Sequence, residues 1–288
     1  MALEDENHRL WRIKNLLDNI KIHAASLESF ASIFKIIHKI YPDEVYHLAA
    51  QSYVSHSFED EFSTLNTNIN GTHHVLASLK EVGKSVKFYF AASSEMFGKV
   101  ERIPQNEKTQ FHPRSAYGIS KVTGFELTRN YREAYSLHAS SGILFNHESP
   151  KRGFEFVTRK ITHSVARIKK GLQKKLKLGN IKSKRDWGYA KDYVEAMWLM
   201  LQQESPDDFV IGTGIEHSVE KFAQIAFSHV GLNYKDYIVK DERLFRPAEV
   251  DSLIADSTKA KKQLGWQPKI SFEQLIIMMV ENDMKLIK

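Results

Sequence analysis

The 288 residues include no cysteine. That excludes disulfides, thiolate zinc sites and cysteine nucleophiles. No stretch offers about 18 uninterrupted apolar residues, so no membrane-spanning helix is expected. The opening segment, MALEDENHRLWRIK, is charged throughout and lacks the apolar core of a secretory signal, which makes the cytoplasm the expected location. Glycine is missing where a dinucleotide-binding sheet would use it. None precedes Gly71, and the one Gly-x-Gly, GTG at 212–214, comes late and has no third glycine. The glycine-rich turn that lets backbone N–H groups approach a pyrophosphate is therefore absent. His73, His74 and His147 have no acidic partner at ligand spacing, so no metal is expected.

Charge is modest. Lys and Arg number 41 against 35 Asp and Glu, a balance of +6 that suits an anionic small substrate such as a nucleotide. The densest basic run, RIKKGLQKKLKLG at 167–179, has helical spacing and no aromatics. It reads as a solvated helix face, and no nucleic-acid partner is expected. The length fits one large domain or two intimate ones.

Apolar patterning alternates between strand and helix periods. NIKIHAA (19–25), EVYHLAA (44–50), VKFYFAAS (86–93) and HASSGILFN (138–146) read as strands. The third has almost no polar interruption, as strands buried on both faces of a parallel sheet do. Between them, 26–42, 62–83 and 115–136 read as helices, with Ser26 as a candidate N-cap and Gly71 inside the second. The alternation predicts an α/β fold, a Rossmann-like doubly wound parallel sheet. Beyond residue 150 the texture changes to helices at 156–171, 190–202 and 218–231, a short strand near LKLGN, the strand DFVIGTG, and two last helices split by Pro268. This part reads as a smaller α/β lobe. The expected division is a cofactor-type domain at 1–150, truncated at its N-terminus, and a substrate lobe at 151–288, with some chain crossing back to the sheet.

The heptapeptide SAYGISK sets Tyr117 and Lys121 one helical turn apart on the same face. An ammonium beside a phenol favours the phenolate, and a phenol so tuned can exchange protons near neutral pH. A solvated lysine next to a half-buried tyrosine has the same spelling. SSE (93–95) likewise reads either as a strand end followed by a helix cap or as a hydroxyl and a carboxylate held together.

Four segments, YHLAAQSYVS, AASSEMFG, PRSAYGISK and NHESPKRGFEFVTRKI, closely resemble the extended short-chain dehydrogenase/reductase superfamily. Within it, they resemble the GDP-mannose 4,6-dehydratases. GNIKSKRDWGYAKDYVEAMW, DFVIGTG and FRPAEVD extend the resemblance over roughly residues 18–288. It implies conversion of GDP-mannose to GDP-4-keto-6-deoxymannose, with NADP accepting a hydride from C4 and returning it to C6. It implies that Tyr117 removes the O4 proton while Lys121 lowers its pKa. Glu95 would act at C5 and on the departing C6 hydroxyl, and Ser93, at a position usually held by threonine, would bond O4. Cofactor contacts would come from Ala49, Gln51, Ser52, Tyr117, Lys121, His147 and Arg152. Substrate contacts would come from Ser94, Asn146, Val157, Lys160, Arg185, Arg246 and Glu249.

The resemblance also implies departures. The glycine-rich start and the family's basic loop are missing, and Ser26 replaces an acidic residue near the adenine, so NADP binding is expected to be weak or lost. Helices 62–83 and 115–136 would form a homodimer bundle. An inactive GDP-sugar-binding relative or subunit partner, and an epimerase or reductase of another GDP-sugar, stay open beside the dehydratase. Glu95 argues against the last.

Overall fold

A computed structural model describes residues 10–83, 85–245, 248 and 252–287. Four parallel strands form the main sheet, in the order β1–β2–β3–β7: β1 (Glu44–His47), β2 (Lys87–Ser93), β3 (His138–Leu144) and β7 (Asp208–Ile211). Strand β2 explains why its sequence is so apolar. Its side chains alternate across the pleat. Phe88, Phe90 and Ala92 enter one core, while Tyr89 enters the other with Leu144, Met197 and Phe209. Both faces are dry, so neither can carry polar residues.

Helices cover both faces. On one lie α1 (Phe30–Ile40), α2 (61–82) and α3 (Ala116–Tyr135); on the other lie α5 (Ala190–Gln202) and α7 (Thr258–Leu264). Helix α2 runs over 61–82, with a π-helical turn at Asn66–Asn70 leading into Gly71–Val82. A β-carbon at Gly71 would stand 3.0 Å from Leu27, which is why the helix tolerates glycine there. A third core lies between α4 (Val157–Lys169), α6 (Val219–His229) and α8 (Phe272–Leu286), around Trp187. Beside it, β4 (Asn146–Glu148), β6 (Lys184–Tyr189) and β8 (Glu216–Ser218) make a second sheet, and β5 (Leu176–Leu178) pairs with β9 (Ile238–Lys240). Strand β7 is threaded from the C-terminal half into the main sheet. None of the described helices is long and apolar enough to cross a membrane.

Two local expectations fail. Residues 20–25 are not a strand; Lys14–Asn19 is a 3₁₀ turn and an irregular stretch follows. Alternation gives a strand only where a ladder partner exists, and among the described residues β1 is paired only with β2. Ser26 is not the cap of α1. Ser29 is, its hydroxyl accepting from Ser32 N at 3.3 Å, while Ser26 Oγ accepts from Glu28 N in the preceding turn.

Candidate active site

In an open parallel sheet, ligands bind outside the carboxyl ends of the strands. The residues picked out in the sequence gather at that edge. Ala49, Gln51 and Ser52 follow β1; Ser93 ends β2, and Ser94 and Glu95 follow it; Asn146, His147 and Arg152 follow β3. Helix α3 then brings Tyr117 to the same edge. Its N-terminus is fixed by Ser115, whose hydroxyl accepts from Gly118 N at 3.0 Å. A β-carbon at Gly118 would stand 2.8 Å from the Glu95 carbonyl, so glycine allows the first turn of α3 to lie against the Glu95 turn. That turn is a 3₁₀ helix, Ser94–Met96, capped by Ser93 Oγ accepting from Glu95 N at 3.3 Å.

Tyr117 hydrogen-bonds Ser93 and feels the charges of Glu95 and Arg152. Burial dominates, and it pushes the phenol up to about 12. The Ser93 bond and Arg152 oppose that rise, and Glu95 adds to it. This corrects the expectation that Lys121 holds the phenol low. The Lys121 Nζ does lie 5.7 Å from the centre of the Tyr117 ring, but it donates to Ala91 O at 2.8 Å. Lys121 is only 5% exposed, and burial lowers its pKa to about 8. His147 Nδ1 contacts the Phe145 carbonyl at 2.9 Å, which makes Nδ1 the protonated nitrogen and leaves Nε2 as an acceptor. Burial depresses this imidazole to about 4, so it is neutral at physiological pH.

The loop after β1 is tied to α3 through Asn68 in the π turn. Its Oδ1 accepts from Gln51 N at 2.8 Å, and its Nδ2 donates to Gln51 O and to Ser120 Oγ, each at 3.0 Å. Gln51 Oε1 is buried with no hydrogen-bond partner. An orphaned acceptor in the loop after β1, with a buried ammonium on α3 and a neutral imidazole after β3 at the same sheet edge, fits the amide and ribose end of a nicotinamide cofactor. Among the described residues there is no glycine-rich strand-to-helix turn for the pyrophosphate end.

Next to this group lies a cleft of about 190 Å³. Glu95, Asn146, Val157, Lys160 and Arg185 line it, so five of the predicted residues share one wall system. Ser94 does not line it; it is 2% exposed and accepts from Phe97 N through its carbonyl. Arg246 and Glu249 lie outside the described residues. The cleft also uses residues the sequence reading passed over: Tyr53, Glu148, Phe156, Thr158, Asn180 and Trp187. For Glu148 a signal was present, since it stands four before Arg152 within the quoted NHESPKR.

A parallel sheet with a tyrosine–lysine pair at its carboxyl edge, next to a cleft lined by a carboxylate and basic groups, defines a nucleotide-sugar-modifying member of the extended short-chain dehydrogenase/reductase class. Solved structures of this architecture superpose closely. RMD from Pseudomonas aeruginosa complexed with NADPH matches with a TM-score of 0.86 and 25% identity, over 96% of this chain and 95% of that one. UDP-glucose 4-epimerase with UDP-glucose from Thermotoga maritima also reaches 0.86, at 28% identity, over 96% and 88%. The sequence profile of the family described as GDP-mannose 4,6 dehydratase matches residues 3–279. GDP-mannose 4,6 dehydratase 2 of Arabidopsis thaliana is 54% identical over 93% of this chain and 73% of its own length. The chain belongs to the GDP-mannose 4,6-dehydratase family.

Proposed function

We propose that this chain is a GDP-mannose 4,6-dehydratase, converting GDP-mannose to GDP-4-keto-6-deoxymannose. The observation that carries the reading is the meeting of Ser93, Glu95 and Tyr117 at one sheet edge, with Glu95 also lining the adjoining cleft. NADP, when bound, supplies the hydride acceptor for C4 and the donor for C6. Gln51, Lys121, His147 and Arg152, with Ala49 and Ser52, would hold its nicotinamide end. Where these contacts act alone, affinity for NADP is expected to be weak.

In the ligand-free chain Tyr117 is a phenol at neutral pH, because burial outweighs the groups that lower it. Its role is to take the O4 proton, and the neighbouring Lys121 and Arg152 charges stabilise the resulting anion. Ser93 donates to O4. Glu95 removes the C5 proton and returns one to the C6 hydroxyl as it leaves as water. A single carboxylate serves both atoms if it lies near both. Asn146 and Arg185 hold the diphosphate, where a guanidinium matches paired oxygens. Val157 and Lys160 hold the guanine nucleotide; Arg246 and Glu249 would complete the diphosphate and ribose contacts. An epimerase acting at C4 has no use for a base at C5, and an inactive binder has no use for a Ser–Tyr–Lys constellation kept whole.

The test is incubation of the purified chain with GDP-mannose and saturating NADP⁺, following loss of one water by mass spectrometry. Turnover should fall by roughly a thousandfold in Glu95→Gln, with GDP-mannose still bound. Binding of both ligands by the wild-type chain without any dehydration would leave only a GDP-sugar-binding relative. A homodimer through α2 and α3 is part of the reading, supported by Phe62 at 81% and Ile119 at 46% exposure on those helices. A clean monomer by light scattering would exclude it.

A further inference from the structure

Glu148 ends β4 and is 1% exposed, yet it forms part of the cleft wall. It stands two residues after Asn146 on the same strand, so both side chains leave the same face. One oxygen of Glu148 takes two contacts. Thr158 Oγ1, in the first turn of α4, donates to Oε2 at 2.7 Å. Arg152 Nε lies 3.1 Å from the same Oε2, without a directed hydrogen bond from that nitrogen. The Arg152 guanidinium is also stacked on the Phe156 ring, 3.4 Å from its centre. A strand end, a loop and a helix start are thus gathered on one buried oxygen.

A buried carboxylate is costly and persists where its partners are fixed in place. Here the partners belong to different ligands. Arg152 is a cofactor contact in the reading above; Thr158 sits beside Val157 and two residues before Lys160, the nucleotide contacts. We propose that Glu148 is a positioning residue that sets Arg152 for the cofactor and the start of α4 for the nucleotide, so that one side chain supports both affinities. The proposal rests on the dehydratase reading for the identity of the two ligands.

Two substitutions separate the two contacts. Glu148→Gln still accepts from Thr158 but loses the charge facing Arg152. Glu148→Ala loses both. Calorimetric titration with NADP⁺ and, separately, with GDP reads each arm. Glu148→Gln should weaken NADP⁺ about tenfold while holding GDP within about twofold; Glu148→Ala should weaken both about tenfold. The NADP⁺ loss should vanish when Arg152→Ala is already present, and the GDP loss of Glu148→Ala should vanish when Thr158→Val is present. A purely structural role would weaken both ligands together in both variants, and additive losses in the double variants would equally overturn the proposal. The GDP titration of Glu148→Gln doubles as the check on folding. If the wild-type chain binds no NADP⁺ at all, the cofactor half of the function reading fails. The claim that Glu148 serves both ligands fails with it, and the GDP arm decides the placement of α4 alone: loss in Glu148→Ala, cancelled by Thr158→Val, sustains that half, and unchanged GDP affinity sinks it.

Discussion

Replacing Lys121 with methionine should stabilise the protein while removing its activity. Burial lowers the Lys121 ammonium from an ordinary value of 10.5 to about 8. At 1.36 kcal/mol per pH unit, that drop is ~3 kcal/mol of unfavourable burial carried by the folded state at neutral pH. Methionine matches the lysine stem in length and removes that cost. It also removes the charge-assisted bond to Ala91 O at 2.8 Å, a loss of about 2 kcal/mol. The net expectation is ~1 kcal/mol of added stability. The sign with pH follows from linkage. Below about 8 the lysine is protonated in both folded and unfolded chains, so the cost is fully present. As pH rises from there towards 10.5 the folded chain gives up its proton first, so wild-type stability rises relative to Lys121→Met. The advantage of the variant should therefore be clear near pH 7 and gone by about pH 10. Urea denaturation followed by tryptophan fluorescence at the two pH values measures it. A variant less stable than wild type at neutral pH, or a difference that does not change with pH, would refute the reasoning. In the proposed reaction, a lysine that costs stability is kept for what its charge does to a ligand.

Two further outcomes follow from the cleft and its support. Arg185, 7% exposed in the cleft wall, should lower GDP-mannose affinity by about 2 kcal/mol when changed to alanine, with a smaller effect on GMP, which has a single phosphate; equal losses on titration with the two would remove it from the diphosphate. Gly118→Ala places a carbon 2.8 Å from the Glu95 carbonyl, and the shift needed to relieve it should cost about 1–3 kcal/mol in denaturation and lower turnover more than GDP binding; unchanged turnover would show that the spacing of Tyr117 and Glu95 is not critical.

The parts of the fold that could be read ahead were those where one local pattern decides the outcome. The unbroken apolar run of β2 has one stable home, a strand covered on both sides, and its residues split between two cores as that requires. The helical spacing of α3 and α5 leaves equally few choices. Strands β4, β6 and β8 were hidden because they read as polar: NHE, KRDWGY and EHS are mostly polar or charged, and Trp187 is the one large apolar side chain that β6 gives the core. Asp186 on β6 accepts from Thr213 N, Gly214 N and Ala255 N, partners that only the folded chain brings together. The site divides in the same way. That Tyr117 and Lys121 share a face is a property of one helical turn and was legible. The proton affinity of the phenol is not, because it depends on how completely the surrounding chain closes over that turn. Tyr117 is 9% exposed, and removing water disfavours the phenolate more than a lysine committed to Ala91 O can favour it. The ligand-free chain thus keeps the proton on Tyr117. For Tyr117 to act as the base in the proposed reaction, charge arriving with the ligands, or the freeing of Lys121 from its carbonyl, has to lower its proton affinity. That step joins binding to chemistry, and motif spacing alone contains no trace of it.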